Sequence, residues 1–128
     1  MKKLQPPTGV KRAFRVAEQV KEEIARALAR ELGDPRLAHA FVTRVEMPDD
    51  LSLARIMVRL GTGGDDPSAR SRVIAAFHAA GGLLRTRLGK RLGLRRAPEL
   101  RFVYDEGLDA TADVERLLAE IAREKSNG

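Results

Sequence analysis

The chain is predicted to form an α+β domain of two layers, a three-stranded sheet covered on one face by helices, in the order α-β-β-α-kink-α-β-α. Three observations predict it. Residues 39–47 and 51–60 alternate apolar and polar side chains across a short polar turn, the signature of an antiparallel hairpin with one buried face. Four other stretches carry apolar residues at three- and four-residue spacing, as amphipathic helices do. A third alternating run, residues 99–105, comes after a helical crossover long enough to return it to the same sheet. Every strand has one apolar face, so helices cover one side only.

Residues 1–9 are a polar lead containing Pro6, Pro7 and Gly9, expected to lack fixed structure, with Thr8 as the cap of the next helix. Residues 10–32 read as a helix whose core stripe is Val10, Ala13, Val16/Ala17, Val20, Ile24, Ala27/Leu28 and Leu32. Gly33 stops it and Asp34-Pro35 forbids continuation. In the first strand Phe41, Thr43, Val45 and Met47 fall on one side, with Val42, Arg44 and Glu46 on the other. Pro48-Asp49-Asp50 makes the turn. In the second strand Ala54, Ile56, Val58 and Leu60 oppose Arg55, Met57 and Arg59.

Asp65 or Asp66 before Pro67 is a capped helix start, and Val73/Ile74, Phe77 and Ala80 form that helix's apolar side. After Gly81-Gly82 the pattern restarts, with Leu84, Leu88 and Leu92 on one face and Gly93 as the stop. Arg87 and Lys90 lie outside this stripe and Arg91 borders it. In the third strand Leu100, Phe102 and Tyr104 alternate with Arg101 and Val103. Residues 109–125 read as a last helix with Val114, Leu117/Leu118 and Ile121 on one face. One domain over residues 10–125 is therefore expected, with a frayed end at 126–128. No internal repeat is visible.

Composition narrows the function. The chain has 128 residues, no cysteine, and a formal charge of +6. Disulfides, thiolate metal sites and cysteine catalysis are excluded. The opening residues have no apolar segment of a secretory signal, and no apolar run approaches the length of a membrane span. A cytoplasmic protein with no membrane partner is expected, and the charge favours a polyanion, nucleic acid first.

The charge is concentrated. Between His78 and Arg101 stand Arg85, Arg87, Lys90, Arg91, Arg95, Arg96 and Arg101 against Glu99 alone. The run comes after Ala80-Gly81-Gly82, where missing side chains let another backbone approach and a restarting helix points its positive end outward. Arginine forks then suit successive phosphates. Lys11, Arg12 and Arg15 precede any acid in the first helix, the wrong sign for its N-terminus, which hints at a partner there. A bent helix with a solvated basic face is the structural alternative.

Other motifs carry less. Gly61-Thr62-Gly63-Gly64 lacks the lysine of a phosphate loop and runs into Asp65-Asp66, so a turn is expected. His39 and His78 have no ligand or base at a recognisable spacing. Acids in turns are explained by turn formation, so no catalytic group, metal or cofactor is expected. Phe41, Phe102 and Tyr104 fall on core faces and Phe14 and Phe77 on helices, with no exposed aromatic ladder. Contact with phosphate and shape, not base sequence, is the expectation.

Arg12-Ala13-Phe14-Arg15-Val16-Ala17-Glu18-Gln19-Val20 through Ile24, Val45-Glu46-Met47-Pro48-Asp49-Asp50-Leu51 with Ala54-Arg55-Ile56, Gly82 through Leu92, Leu94-Arg95 and Pro98 through Asp105 together resemble the bacterial ribosome-binding factor A family over about residues 10–125. The resemblance implies a type II KH-like fold with the third strand beside the first and parallel to it. It implies that an Ala-x-Gly kink, here Ala80-Gly81-Gly82, replaces the usual GxxG grip, and that the GxxG at Gly61 to Gly64 is unrelated to it. It further implies a non-enzymatic factor that binds the immature 30S subunit and its 16S rRNA near the 5′-end helix. Such a factor promotes late small-subunit maturation and rRNA processing and is released with the help of an assembly GTPase in some bacteria. The expected RNA-facing residues are Arg85, Arg87, Lys90, Arg91, Arg95, Arg96, Arg12 and Arg15, on a monomer. The sequence departs from the family in a short C-terminal tail and an additional glycine before the kink. A protein–protein adaptor that touches no RNA is the rival reading, motivated by the missing GxxG loop and stacking aromatics.

Overall fold

The computed structural model describes residues 8–107, 118–119 and 121–123. Expectations for residues 1–7, for Val114 and Leu117 of the last helix, and for the end at 126–128 lie outside these. The elements are α1 (Thr8–Arg30), a 3-10 turn (Pro35–Leu37), β1 (Ala40–Glu46), β2 (Leu53–Leu60), α2 (Pro67–Ala79), α3 (Gly81–Leu92) and β3 (Glu99–Tyr104). This is the predicted order through the third strand.

The first helix takes in Thr8 as its opening residue, so Thr8 is not outside the helix as a cap. Ala13, Val16, Ala17, Val20, Ile24 and Ala27 are buried at the predicted spacing. Asp34 then caps the 3-10 turn, accepting the Arg36 amide at 2.9 Å. Asp66 caps α2 by accepting the Ser68 amide at 2.9 Å, with Pro67 in the first turn. Leu118 and Ile121, expected on the core face of a last helix, are helical but exposed.

The sheet order is β1-β2-β3. The hairpin is antiparallel, pairing Ala40 with Leu60 and Glu46 with Arg55. The third strand runs parallel to β2, pairing Leu53 with Glu99 and Val58 with Tyr104. The parallel partner is therefore β2, not β1 as the resemblance implied. The crossover through α2 and α3 returns the chain beside the strand it left, and β2, as the central strand, is the most thoroughly buried: Ala54, Ile56 and Val58 are sealed on the helical face.

A second correction concerns β1. The register shifts between Val42 and Arg44. The extra residue, Thr43, resets the alternation, so Val42 and Val45 both pack on the core while Phe41 is 46% exposed. Thr43 itself donates its hydroxyl to the Asp105 carboxylate at 2.6 Å, tying the bulge to the end of β3.

Phe77 of α2 stacks on Phe102 of β3, ring centres 5.0 Å apart, at the centre of the core. Leu84 and Leu88 of α3 and Val20 and Ile24 of α1 complete it. Burying such side chains is worth about 1.5–3 kcal/mol each, which makes this helix-covered face the main source of stability.

Candidate nucleic-acid interface

The kink is a single residue. Ala80 keeps right-handed helical angles, φ −82° and ψ −5°, and its amide still reaches Ala76 at 3.1 Å while its carbonyl receives the Leu84 amide at 3.0 Å. The chain thus passes from α2 to α3 with almost no loop. Gly81 and Gly82 come next, and a methyl group added to either would meet nothing within 4 Å. Packing within the chain does not require glycine at either position. They leave bare backbone at the surface, beside a groove of about 280 Å³ that is lined by Gly81, Gly82 and Arg85 on one side and Glu99, Leu100 and Phe102 on the other. His78 is exposed and meets Phe102 edge-on at 5.4 Å.

Beyond α3 the chain turns on Gly93, which is left-handed at φ 59°. Buried Pro98 then aims the chain into β3, and the Glu99 amide donates to the Ser52 carbonyl at 3.0 Å. This hydrogen bond holds the loop 93–98 against the β1–β2 turn. It thereby brings Arg95 and Arg96 to the N-terminal end of α1. Arg12, Arg95 and Arg96 line one cavity of about 400 Å³, together with Leu51, Ser52 and Ala97. Asp50 is the cavity's one acid, and its carboxylate already accepts the Ser52 hydroxyl at 2.7 Å and the Ser52 amide at 3.1 Å. The hydroxyl bond is the larger cause holding Asp50 below the ordinary carboxylate range. Three guanidiniums against one occupied carboxylate make an anion-attracting hollow. Arg85 connects the hollow with the kink groove, donating to the Ala97 carbonyl at 3.3 Å.

Of the expected RNA-facing residues, the fold thus gathers Arg12, Arg85, Arg95 and Arg96 along one surface. Arg15 and Lys90 are exposed but line neither cavity. Arg87 has another role. Its side chain is only 17% exposed and bridges α3 to α1, pairing with Glu31 and, at 3.4 Å, with Glu23. Those two carboxylates, Glu31 first, raise its pKa. Arg91 leans toward the same Glu23 at 3.7 Å, and Arg26 reaches it at 3.1 Å. Glu23 is the one buried charged residue among those described, and these cations compensate it. Arg87 thus shares its charge with two acids of a distant helix, which the basic stretch read along the chain does not include. The signal was present: Glu23 sits beside Ile24 and between Val20 and Ala27 on the apolar stripe, where a carboxylate requires a partner.

The Gly61–Gly64 loop is structural. The Gly61 amide donates to the His39 carbonyl at 2.8 Å, Gly63 is left-handed at φ 76°, and the Gly64 carbonyl accepts from Arg70. A side chain at Gly64 would strike the Tyr104 hydroxyl. No group of three metal-ligating side chains exists among the described residues.

A small α+β domain with a helix pair joined at a one-residue kink beside its third strand defines a KH-like protein. A family model described as ribosome-binding factor A matches residues 12–118. The ribosome-binding factor A of Sorangium cellulosum is 47% identical over 112 residues, covering 88% of this chain and 90% of that protein. That of Syntrophus aciditrophicus is 41% identical over 121 residues, covering 94% and 95%. Among solved structures, one from Thermotoga maritima, described as a putative ribosome-binding factor A, superposes with a TM-score of 0.67 at 29% identity, covering 82% of this chain and 94% of that one. A homology model of the Thermus thermophilus ribosome-binding factor A, fitted into a cryo-electron-microscopy map of a complex with the 30S subunit, gives 0.57 at 26% identity, covering 73% of this chain and 94% of that one. The chain belongs to the ribosome-binding factor A family.

Proposed function

We propose that this protein is a ribosome-assembly factor that binds the immature 30S subunit through 16S rRNA and acts without catalysis, as a cytoplasmic monomer, in late small-subunit maturation and 16S rRNA processing. The observation that carries the reading is the convergence of Arg12, from one end of the chain's first helix, with Arg95 and Arg96, some eighty residues on, around a single hollow. Random surface charge gives no reason for such gathering. Phosphate contact does, because guanidinium forks from three chain positions can hold one stretch of backbone in register. Arg85, the bare Gly81-Gly82 backbone and the groove along β3 extend the track. The relative fitted into a 30S complex supports the particle as the partner. Contact near the 5′-end helix, and release by an assembly GTPase, belong to the same proposal.

Cosedimentation with purified small subunits tests it. The Arg12→Glu/Arg95→Glu/Arg96→Glu variant is expected to leave the particle fraction while its thermal melt stays near wild type. Undiminished cosedimentation would remove the site. An adaptor without RNA contact is the other outcome: its complex would survive nuclease treatment, whereas a phosphate-bound one would not.

A further inference from the structure

The opposite flank of α1 carries a different surface. Phe14 is 70% exposed, the most exposed large apolar side chain described in the structure. It overhangs a groove of about 370 Å³ between α1 and the outer strand β1, floored by Ala13, Ala17, Val45 and Met47. Three carboxylates rim it, Glu18, Glu46 and Asp49, against one guanidinium, Arg44. That guanidinium is spent on Glu46 at 2.9 Å. In a chain of net charge +6 this is an acidic, apolar hollow. It stands on the far side of the helix from Arg12. Phosphate would be repelled here, since the rim has the wrong sign.

We infer that this groove docks a protein, specifically a lysine- or arginine-rich polypeptide segment carrying an apolar anchor beside Phe14. Charge complementarity selects the occupant: the rim suits cationic side chains, while Phe14 and the alanine floor suit one aliphatic or aromatic residue between them. The inference rests on the particle-binding reading, which presents this flank to the basic proteins of the same particle. A single helix then divides the work, its Arg12 flank toward phosphate and its Phe14 flank toward basic polypeptide.

Photocrosslinking on the intact particle tests it with the full chain. Phe14→p-benzoylphenylalanine is irradiated in complex with purified small subunits, with Arg96→p-benzoylphenylalanine as the companion. The expected result is a protein crosslink at position 14, mapping to a Lys/Arg-rich segment of a small-subunit protein, and an rRNA crosslink at position 96. A position-14 crosslink to rRNA, to a second copy, or to residues 1–7 of the same chain overturns the inference. So does no crosslink at 14 while 96 still marks rRNA, an outcome that leaves the particle-binding reading intact. Failure at both positions overturns that reading and the inference with it. In parallel, Phe14→Ser should weaken binding to whole subunits roughly ten-fold and leave binding to protein-free 16S rRNA unchanged; equal loss on both would also refute the assignment. Exposure of Phe14 makes an unfolded variant unexpected, and a thermal melt verifies that.

Discussion

Neutralising the hollow by Arg12→Gln, Arg95→Gln and Arg96→Gln together should change the salt dependence of particle binding by a calculable amount. The three guanidiniums share one cavity whose only carboxylate is held by Ser52, so little internal charge offsets them. Each phosphate contact releases counterions and contributes a slope of about 0.7 for single strands to about 0.9 for duplex in log affinity against log salt. Losing three contacts therefore lowers the slope by about 2 to 3. Between about 50 and 200 mM salt, the wild-type protein should weaken roughly 20- to 40-fold more than the variant. Filter binding or cosedimentation across a potassium chloride series measures both slopes. Arg87→Gln is the control: its charge is spent on Glu31 and Glu23, so the slope should stay at the wild-type value. An unchanged slope in the triple variant, or an equal drop in Arg87→Gln, would refute the assignment of cations to surface and scaffold.

Gly82→Ala separates folding from function: nothing lies within 4 Å of the added carbon, so stability should rise by up to about 1 kcal/mol. If a nucleic-acid backbone approaches the kink closely, the same variant should bind the particle less tightly, and calorimetry plus cosedimentation read the two effects. Glu23→Gln removes the buried acid that holds Arg26, Arg87 and Arg91, and should cost about 2 kcal/mol, on the order of 8 °C in a thermal melt. Asp105 is held below its ordinary value of 3.8, first by the Thr43 hydroxyl and then by the Gly107 amide. Its folded pKa is depressed, so its stabilisation is complete above that ordinary value and is lost as pH falls through the lower, folded one. Asp105→Asn should therefore lower stability near neutral pH by about 1 kcal/mol, with the gap closing in acid; denaturant melts at several pH values check it.

The helices and strands were legible because each repeats its apolar residues at its own period. The cap at Asp66, the stop at Gly93 and the stripe Leu84-Leu88 stand where the sequence placed them. Phe41 was misread because one extra residue in a strand inverts every later side chain, and a bulge leaves no mark in an alternating pattern. The place of β3 came from the family resemblance alone, which put it beside β1, and alternation could not correct it because it says which face is buried but not which neighbour a strand takes. For the candidate site, charge density singled out a stretch of chain in which sequence adjacency made Arg85, Arg87, Arg91 and Arg95 look equivalent. They are not: helical rotation turns Arg87 toward Glu31 and Glu23, and lets Arg85 and the loop after α3 face outward.

By itself, the sequence determined the element order through the third strand, the single apolar layer, the joint at Ala80 and the basic character of the stretch from Arg85 to Arg96. These are properties of local period, local backbone freedom and local charge. Only the tertiary structure decided that β3 lies beside β2, that Glu23 consumes part of the basic run, and that Arg12 meets Arg95 and Arg96. Each of those depends on two segments far apart in the chain coming into contact. Electrostatics acts on distance in space, which only packing sets.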